Sequence, residues 1–424
     1  MIRPSGMPAE GVPASRVLEM LRTRKRADYD WRRGRVGFYV YEKDPQFTDF
    51  LAEAYREFFV ENALGGDAFP SVAELEDEVV AMVAALMQAP SDAAGAFTSG
   101  GSESIFLALK TARDAKEGAP AALNVVVPET AHPAFDKACA YLGMTVRRTA
   151  VDASGRAVPS AMADALDPLT AAMVASAPQY PHGVFDPVED LGEIAARAGV
   201  WLHVDACVGG MLAPFVRRLG HPIPDFDFSV RGVRSISVDL HKYGMAARGA
   251  SVLLLRDEAA LRHLEFSFSS WPRGAYGTRT VTGSRPAGAV AAAWAAMQAL
   301  GESGYLEIAR QIVDSKRRLV RGIADIDGLC VHEPSELSIV LIKSADPDLD
   351  VFAVSDLMLE RGWYLGRSLR PAAIHLALNP LHTGAIAPLL ADLAEASARA
   401  RSLRLSGRTD GPAYGVGRAR VDPG

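Results

Sequence analysis

Between about residue 95 and residue 256, short apolar runs alternate with alanine-rich amphipathic stretches. The runs lie at 123–127, 173–177, 200–204, 236–240 and 251–255. They are apolar on consecutive residues more than on alternate ones, which marks strands covered on both faces. That pattern predicts an α/β chain built on a large, mostly parallel sheet wrapped by helices. In such a sheet, ligands bind beyond the carboxyl ends of the strands, so residues at those ends are the first candidates for chemistry.

The rest of the chain is arranged around this sheet. Residues 1–15 read as a loose arm, and residues 16–90 as helical. Ser71 and Glu74 have the spacing of a capping box ahead of Leu75, Val79, Val80, Val83 and Leu86. Residues 266–285 read as a polar, aromatic loop, followed by a buried helix at 287–300. A smaller α+β part covers about 300–402, with strands expected at 338–342 and 374–378. The tail after Arg404 reads as frayed. The expected division is an N-terminal helical segment at 1–70, a large α/β domain at 71–290, a small α+β domain at 291–404 and a tail at 405–424.

Composition narrows the function classes. With 45 Lys+Arg against 51 Asp+Glu, the formal net charge is −6, so no basic excess is present to coat nucleic acid. Three cysteines in 424 residues exclude a disulfide scaffold and suggest a reducing compartment. Cys139, Cys207 and Cys330 lack metal-ligand spacing, and no metal is expected. The basic N-terminal stretch has no signal-peptide core beside it, and the run at 287–300 is shorter than the roughly 20 residues of a spanning helix. A cytoplasmic protein without an integral membrane segment is expected.

Three motifs can carry chemistry. Thr98-Ser99-Gly100-Gly101-Ser102-Glu103-Ser104 is a small-residue turn opening a helix. Its unpaired N–H groups suit an anion, although Ser102 could equally be an ordinary N-cap. Asp205 closes the run at 200–204, where a carboxylate can hold a proton on a ring nitrogen, bind a metal or cap the next turn. Lys242 follows the run at 236–240 in His241-Lys242-Tyr243-Gly244. A lysine just past a buried strand is a candidate for a lowered pKa and for imine chemistry. Taken together, these suit pyridoxal 5′-phosphate: Gly101 and Ser102 for the phosphate, Asp205 for the pyridinium nitrogen and Lys242 for the aldehyde. His132, just beyond the run at 123–127, is placed to stack on the ring.

These motifs resemble fold-type I pyridoxal-phosphate enzymes of the group II decarboxylase superfamily, and within it the sphingosine-1-phosphate lyases. The matching stretches also include Asn62-Ala-Leu, Ala68-Phe-Pro-Ser71, residues 131–137, 177–183, Gly283-Ser284-Arg285-Pro286 and residues 371–376. The resemblance implies an aspartate aminotransferase-like fold. It implies that Lys242 is the Schiff-base lysine, that His241 neighbours the cofactor phosphate and that Asp205 and His132 hold the ring. It further implies that Gly283 and Ser284 reach the phosphate of a neighbouring subunit, making a homodimer with shared sites. Asn62 and Tyr180 fall in the region around the substrate.

The family's second lysine beyond the Schiff-base lysine is replaced here by Arg248. Arginine keeps the charge and adds a fork for phosphate or carboxylate, but it cannot relay protons near neutral pH. The substrate side departs again at Leu64-Gly65-Gly66-Asp67 and at Arg279, an extra cation. The expected activity is carbon–carbon lysis of a phosphorylated or anionic amino alcohol, a small-molecule or lipid-like amine. The alternative is α-decarboxylation of an amino acid with the same cofactor.

Overall fold

The computed structural model describes residues 6–116 and 122–409. Helix α1 (Ala14–Lys25) buries none of its residues. Helix α2 (Pro45–Glu57) starts at Asp44, whose carboxylate accepts from Phe47 N at 2.7 Å. Helix α3 (Pro70–Leu86) starts on Pro70 and has no side-chain cap. The capping box expected at Ser71 and Glu74 is therefore absent. Proline needs no N–H acceptor and comes with helical φ, so it initiates the helix one residue before Ser71. The helical reading of 16–90 is also broken, by non-helical segments at 34–44 and 60–69.

The large sheet follows. Its elements in chain order are β1 (Ala94–Thr98), α4 (Gly101–Ala115), β2 (Asn124–Pro128), α5 (Ala134–Leu142), β3 (Thr145–Thr149) and α6 (Pro159–Asp164). They continue with β4 (Thr170–Ser176), α7 (Val188–Ala198), β5 (Trp201–Asp205), α8 (Ala213–Arg218), β6 (Val233–Asp239) and β7 (Ser251–Leu255). The strand order is β1-β7-β6-β5-β4-β2-β3. Strand β7 is antiparallel to both neighbours, and the other pairs are parallel.

All five predicted runs are strands of this sheet. Strands β1 and β3 were not foreseen. Strand β1 reads Ala-Gly-Ala-Phe-Thr and has little β-branched signal. Strand β3 lies at the sheet edge and exposes Thr145, Arg147 and Arg148, as edge strands do. Strands β2, β4, β5 and β6 deliver Pro128, Ser176, Asp205 and Asp239 to one edge of the sheet.

After α9 (Leu261–Leu264), strands β8 (Phe266–Trp271) and β9 (Gly274–Thr278) pair antiparallel. The expected loop at 266–285 is thus largely a hairpin. Phe266 and Phe268 alternate with serines and stand opposite Thr278 and Tyr276, which gives a two-residue period that high polarity had masked. Helix α10 (Ala287–Ala324) breaks its helical geometry at Gly301, with φ 54° and ψ −174°. Strands β10 (Leu329–Val331) and β11 (Ile339–Ser344), helix α11 (Val351–Glu360), strands β12 (Gly366–Leu369) and β13 (Ala372–Ala377), and helix α12 (Ile386–Ser402) complete the chain. Their sheet is antiparallel, ordered β10-β11-β13-β12.

One hydrophobic cluster runs from Val79 and Ile236 through Val290 and Ala296 to Ile339, Ile374 and Leu393, so α10 joins the two sheets. Truncating a fully buried member such as Leu254 to Ala costs about 2–5 kcal/mol. The predicted frayed tail lies, from residue 410 on, outside the described residues. Among the described residues no helix is long and apolar enough to cross a membrane.

Candidate active site

The edge carrying Asp205 and Asp239 opens into a cleft of about 310 Å³, lined by Gly101, Ser102, His132, Asp205, His241, Lys242 and Arg248 among others. Helix α4 points its N-terminus at this cleft. Its first N–H groups have no intrahelical acceptor, and the helix dipole adds positive character there. Gly100 caps the helix at φ 157°. A Cβ on Gly101 would sit 2.7 Å from Cys207 Sγ and 2.9 Å from Asp239 Oδ1, so only glycine lets the helix mouth press against the strand ends. Ser102 is inside the first turn and is not the cap. Glu103, which the sequence did not single out, accepts from Ser99 N at 2.7 Å and from Val281 N at 2.8 Å. It fixes the turn and ties it to the segment before Gly283.

Past β6 the chain turns through His241 and Lys242 into Tyr243, which is fully buried. The Tyr243 hydroxyl lies 2.6 Å from Ser338 Oγ and 2.9 Å from Leu378 O, which pins the turn to the second sheet. The Lys242 side chain is only 18% exposed, and its Nζ donates to Asp239 Oδ2 at 3.0 Å. Burial acts to raise the Asp239 carboxyl, yet Lys242 and His241 beside it hold it below the usual value. Asp239 Oδ1 and Ser176 Oγ are buried with no hydrogen-bond partner among the described residues. Asp239 was visible in the sequence three residues before Lys242, but nothing marked it as the lysine's charge partner.

The imidazoles of the cleft are kept neutral. Burial pushes His241 down to about 4, against the opposing pull of Asp239. Burial also lowers His132, with Asp205 opposing. His132 Nδ1 accepts from Ala134 N at 3.1 Å, which orients the ring beyond the end of β2. Asp205 Oδ1 accepts from Cys207 N at 3.1 Å and from Ser237 Oγ at 3.5 Å.

Arg248 stands on the exposed rim, its guanidinium 5.6 Å from the Tyr41 ring centroid. The Tyr180 ring lies 4.8 Å from that of His375, and His375 Nε2 is 3.0 Å from Tyr180 O. Tyr180 and His132 also line a second cavity of about 440 Å³, whose walls include Phe38, Val151, Pro181 and Leu369.

The remaining predicted residues lie elsewhere. Asn62, Gly283 and Ser284 do not line the cleft. Asn62 Nδ2 donates to Ser284 Oγ at 2.9 Å, and its Oδ1 accepts from Leu64 N at 3.0 Å and Arg285 N at 3.2 Å. Arg285 is in turn ion-paired with Glu76. The extra cation Arg279 pairs with Glu265 at 2.8 Å and does not line the cleft either.

The cleft offers an anion cradle without room for a side chain at Gly101, an amine, a buried carboxylate at a strand end, and polar atoms still lacking partners. These groups fit a phosphorylated aromatic aldehyde, and no group of three or more potential metal ligands occurs among the described residues.

Comparison with known proteins is consistent with this donor set. The family described as pyridoxal-dependent decarboxylase conserved domain matches residues 40–340. A sphingosine-1-phosphate lyase of Oryza sativa subsp. japonica is 39% identical over 99% of this chain and 79% of its own length. Sphingosine-1-phosphate lyase 1 of Mus musculus is 39% identical over 89% of this chain and 66% of its own length. The structure of a Burkholderia pseudomallei sphingosine-1-phosphate lyase superposes with a TM-score of 0.90 at 36% identity, covering 95% of this chain and 94% of the other. A Lactobacillus brevis glutamate decarboxylase shares the fold at a TM-score of 0.82 and 21% identity, over 93% of this chain and 95% of its own.

Proposed function

The chain belongs to the pyridoxal-dependent decarboxylase family and is a pyridoxal-phosphate-dependent lyase; we propose that it cleaves the Cα–Cβ bond of a phosphorylated amino alcohol with an apolar chain, of the sphingosine-1-phosphate type, in a retro-aldol step. The observation that carries this reading is the pairing of two cavities. A cleft with an amine, a carboxylate and a rim arginine adjoins, at His132 and Tyr180, a cavity walled by Phe38, Val151 and Leu369. An anionic head and an apolar chain thus have separate places on either side of one reacting centre.

When bound, pyridoxal 5′-phosphate supplies an aldehyde for the substrate amine and an electron sink for the bond that breaks. The residues around it take distinct roles. The first N–H groups of α4, at Gly101 and Ser102, hold the phosphate with the help of the helix dipole. His241 closes that end; its Cε1 lies 3.3 Å from where a Cβ on Gly100 would stand. Asp205, oriented by Cys207 N and Ser237 Oγ, would pair with the ring nitrogen. His132, neutral and oriented by Ala134 N, would stack on the ring.

Lys242 Nζ is the amine that would hold the cofactor's aldehyde. As a free amine it would serve as the base for the β-hydroxyl proton, and Asp239 at 3.0 Å would stabilise the ammonium that results. Arg248 binds the substrate phosphate from the rim. Arginine stays protonated, so Arg248 takes no part in proton transfer. Tyr180 walls the passage between the two cavities.

Gly283, Ser284 and Asn62 complete the site of a second copy, so the working unit is a homodimer with two shared sites. The free thiols of Cys139, Cys207 and Cys330 suit a reducing, cytoplasmic compartment.

The test is direct. Purified protein loaded with cofactor is incubated with sphingosine-1-phosphate and, separately, with a panel of amino acids. Aldehyde release from the former is the expected result. Carbon dioxide release from an amino acid, with no aldehyde from the amino alcohol, would make the protein a decarboxylase.

A further inference from the structure

Behind Asp205 lies a row of buried polar groups that no step above uses. The Trp201 indole Nε1 donates to Ser235 Oγ at 2.7 Å. Ser235 Oγ lies 2.9 Å from His203 Nδ1. His203 Nε2 lies 3.3 Å from Ser237 Oγ, which reaches Asp205 Oδ1 at 3.5 Å. His203, Ser235 and Ser237 have no exposed surface, and Trp201 is 8% exposed. The row therefore runs from the core to the carboxylate without meeting solvent.

The donor inventory of these groups sets its direction. An indole N–H can only donate, so Ser235 Oγ accepts from Trp201; a hydroxyl can accept twice, but donating to His203 Nδ1 is what gives its own buried proton a partner. A carboxylate can only accept, so Ser237 turns its O–H toward Asp205. Ser237 Oγ then has two lone pairs for its other neighbours, the Cys207 thiol at 3.4 Å and His203 Nε2 at 3.3 Å. Both ends of the row thus favour the same histidine tautomer, with the proton on Nε2. The opposite tautomer would take the Ser237 proton for Nε2 and leave an oxygen lone pair facing the carboxylate. Burial pushes the imidazole down to about 4, so a single proton is present on the ring at neutral pH.

We infer that His203 is a positioning residue for the cofactor: held as its Nε2–H tautomer between Ser235 and Ser237, it makes Ser237 donate to Asp205 and so orients that carboxylate for the ring nitrogen. Cys207 N supplies the second donor to the same oxygen. Asp205 also acts electrostatically on His132 and on the Cys207 thiol. The inference rests on the reading that Asp205 faces the ring nitrogen.

The first test needs no cofactor. In cofactor-free protein labelled with ¹⁵N-histidine, long-range proton–nitrogen spectra at pH 7 should show His203 as the Nε2–H tautomer, assigned by loss of its signals in His203→Gln. An Nδ1–H tautomer, or a doubly protonated ring, overturns the proposal.

The second test titrates cofactor into variants. His203→Leu should weaken cofactor binding about tenfold or more and lower kcat at nearly constant KM. His203→Gln, whose amide N–H can stand in for Nε2–H, should recover most of both. Equal losses in the two variants, or none in His203→Leu, would contradict the proposal. Asp205→Asn separates the two readings. If it binds cofactor as the wild type does, the role of Asp205 falls and the inference falls with it. If it is impaired while His203→Leu is not, only the role of His203 fails.

Discussion

The cleft at the ends of β2, β4, β5 and β6 and the strap around Gly283–Pro286 are both assigned to one kind of site, yet they are built in opposite ways. In the cleft, Lys242 and Asp239 are withdrawn from solvent, and Asp239 Oδ1 and Ser176 Oγ have no hydrogen-bond partner among the described residues. In the strap, Asn62 spends its side-chain hydrogen bonds on Ser284, Leu64 and Arg285, and the preceding hairpin is open. There Phe266 is 54% exposed, Phe268 49% and Trp271 48%. A rigid sheet holds polar groups in readiness for a ligand. The strap is held in readiness too, but beside an exposed aromatic surface of the kind that meets another protein. The difference matches the proposed division of the site, one half within a chain and the other supplied by a second copy.

The sharpest way to break this comparison is complementation. Lys242→Ala should abolish turnover through the cleft, and Ser284→Asp should do so through the strap by facing phosphate with a negative charge. Mixed and refolded together, the two inactive proteins should regain about a quarter of wild-type activity, because half the dimers are mixed and each holds one intact site. No recovery, in a mixture shown to contain mixed dimers, would place Ser284 and Lys242 in the same subunit's site.

A smaller effect sharpens the substrate side of the cleft. Arg248→Ala should raise KM for a phosphorylated amino alcohol by roughly ten- to hundredfold, the loss expected for charge-assisted contacts. A neutral analogue should change little, and Arg248→Lys should recover part of the loss. Steady-state kinetics on the matched pair of substrates reads this, and equal losses on both would remove Arg248 from head-group binding.

The smallest effect is on stability. Burial pushes His203, His241, His375 and His382 each down to about 4 in the folded chain, from 6.5 unfolded. Between those values the unfolded chain binds more protons, so stability is full above about 6.5 and is lost as pH falls toward 4. Asp186, pushed up to about 7 by burial, acts in the opposite sense and offsets one of the four. Urea midpoints should therefore drop steadily from pH 7 to pH 5. A flat profile would contradict the buried, neutral imidazoles of the cleft.

What could be read from the sequence follows the same division. Strands β2, β4, β5, β6 and β7 announced themselves by consecutive apolar residues, because both of their faces are covered. Asp205 and Lys242 were legible because each closes such a run. The Asn62–Ser284 contact joins residues 222 apart in the chain, and only the folded sheet brings them together. Strand β3 carries arginines because it is an edge, and hairpin β8–β9 carries serines because β8 is exposed along its whole length, so neither shows an apolar run. Asp239 and His203 lie inside the apolar runs at 236–240 and 200–204. Their roles depend on which neighbours burial forces them to use, and a linear pattern does not carry that.

The central claim is that the shielded amine of Lys242 is the cofactor's anchor. Borohydride reduction of the cofactor-loaded protein, followed by digestion and peptide mass spectrometry, tests it most directly. The account predicts the phosphopyridoxyl mass on the peptide containing Lys242 and its loss in Lys242→Ala. The same mass on a different lysine, or a loaded protein in which no lysine is labelled, would contradict it.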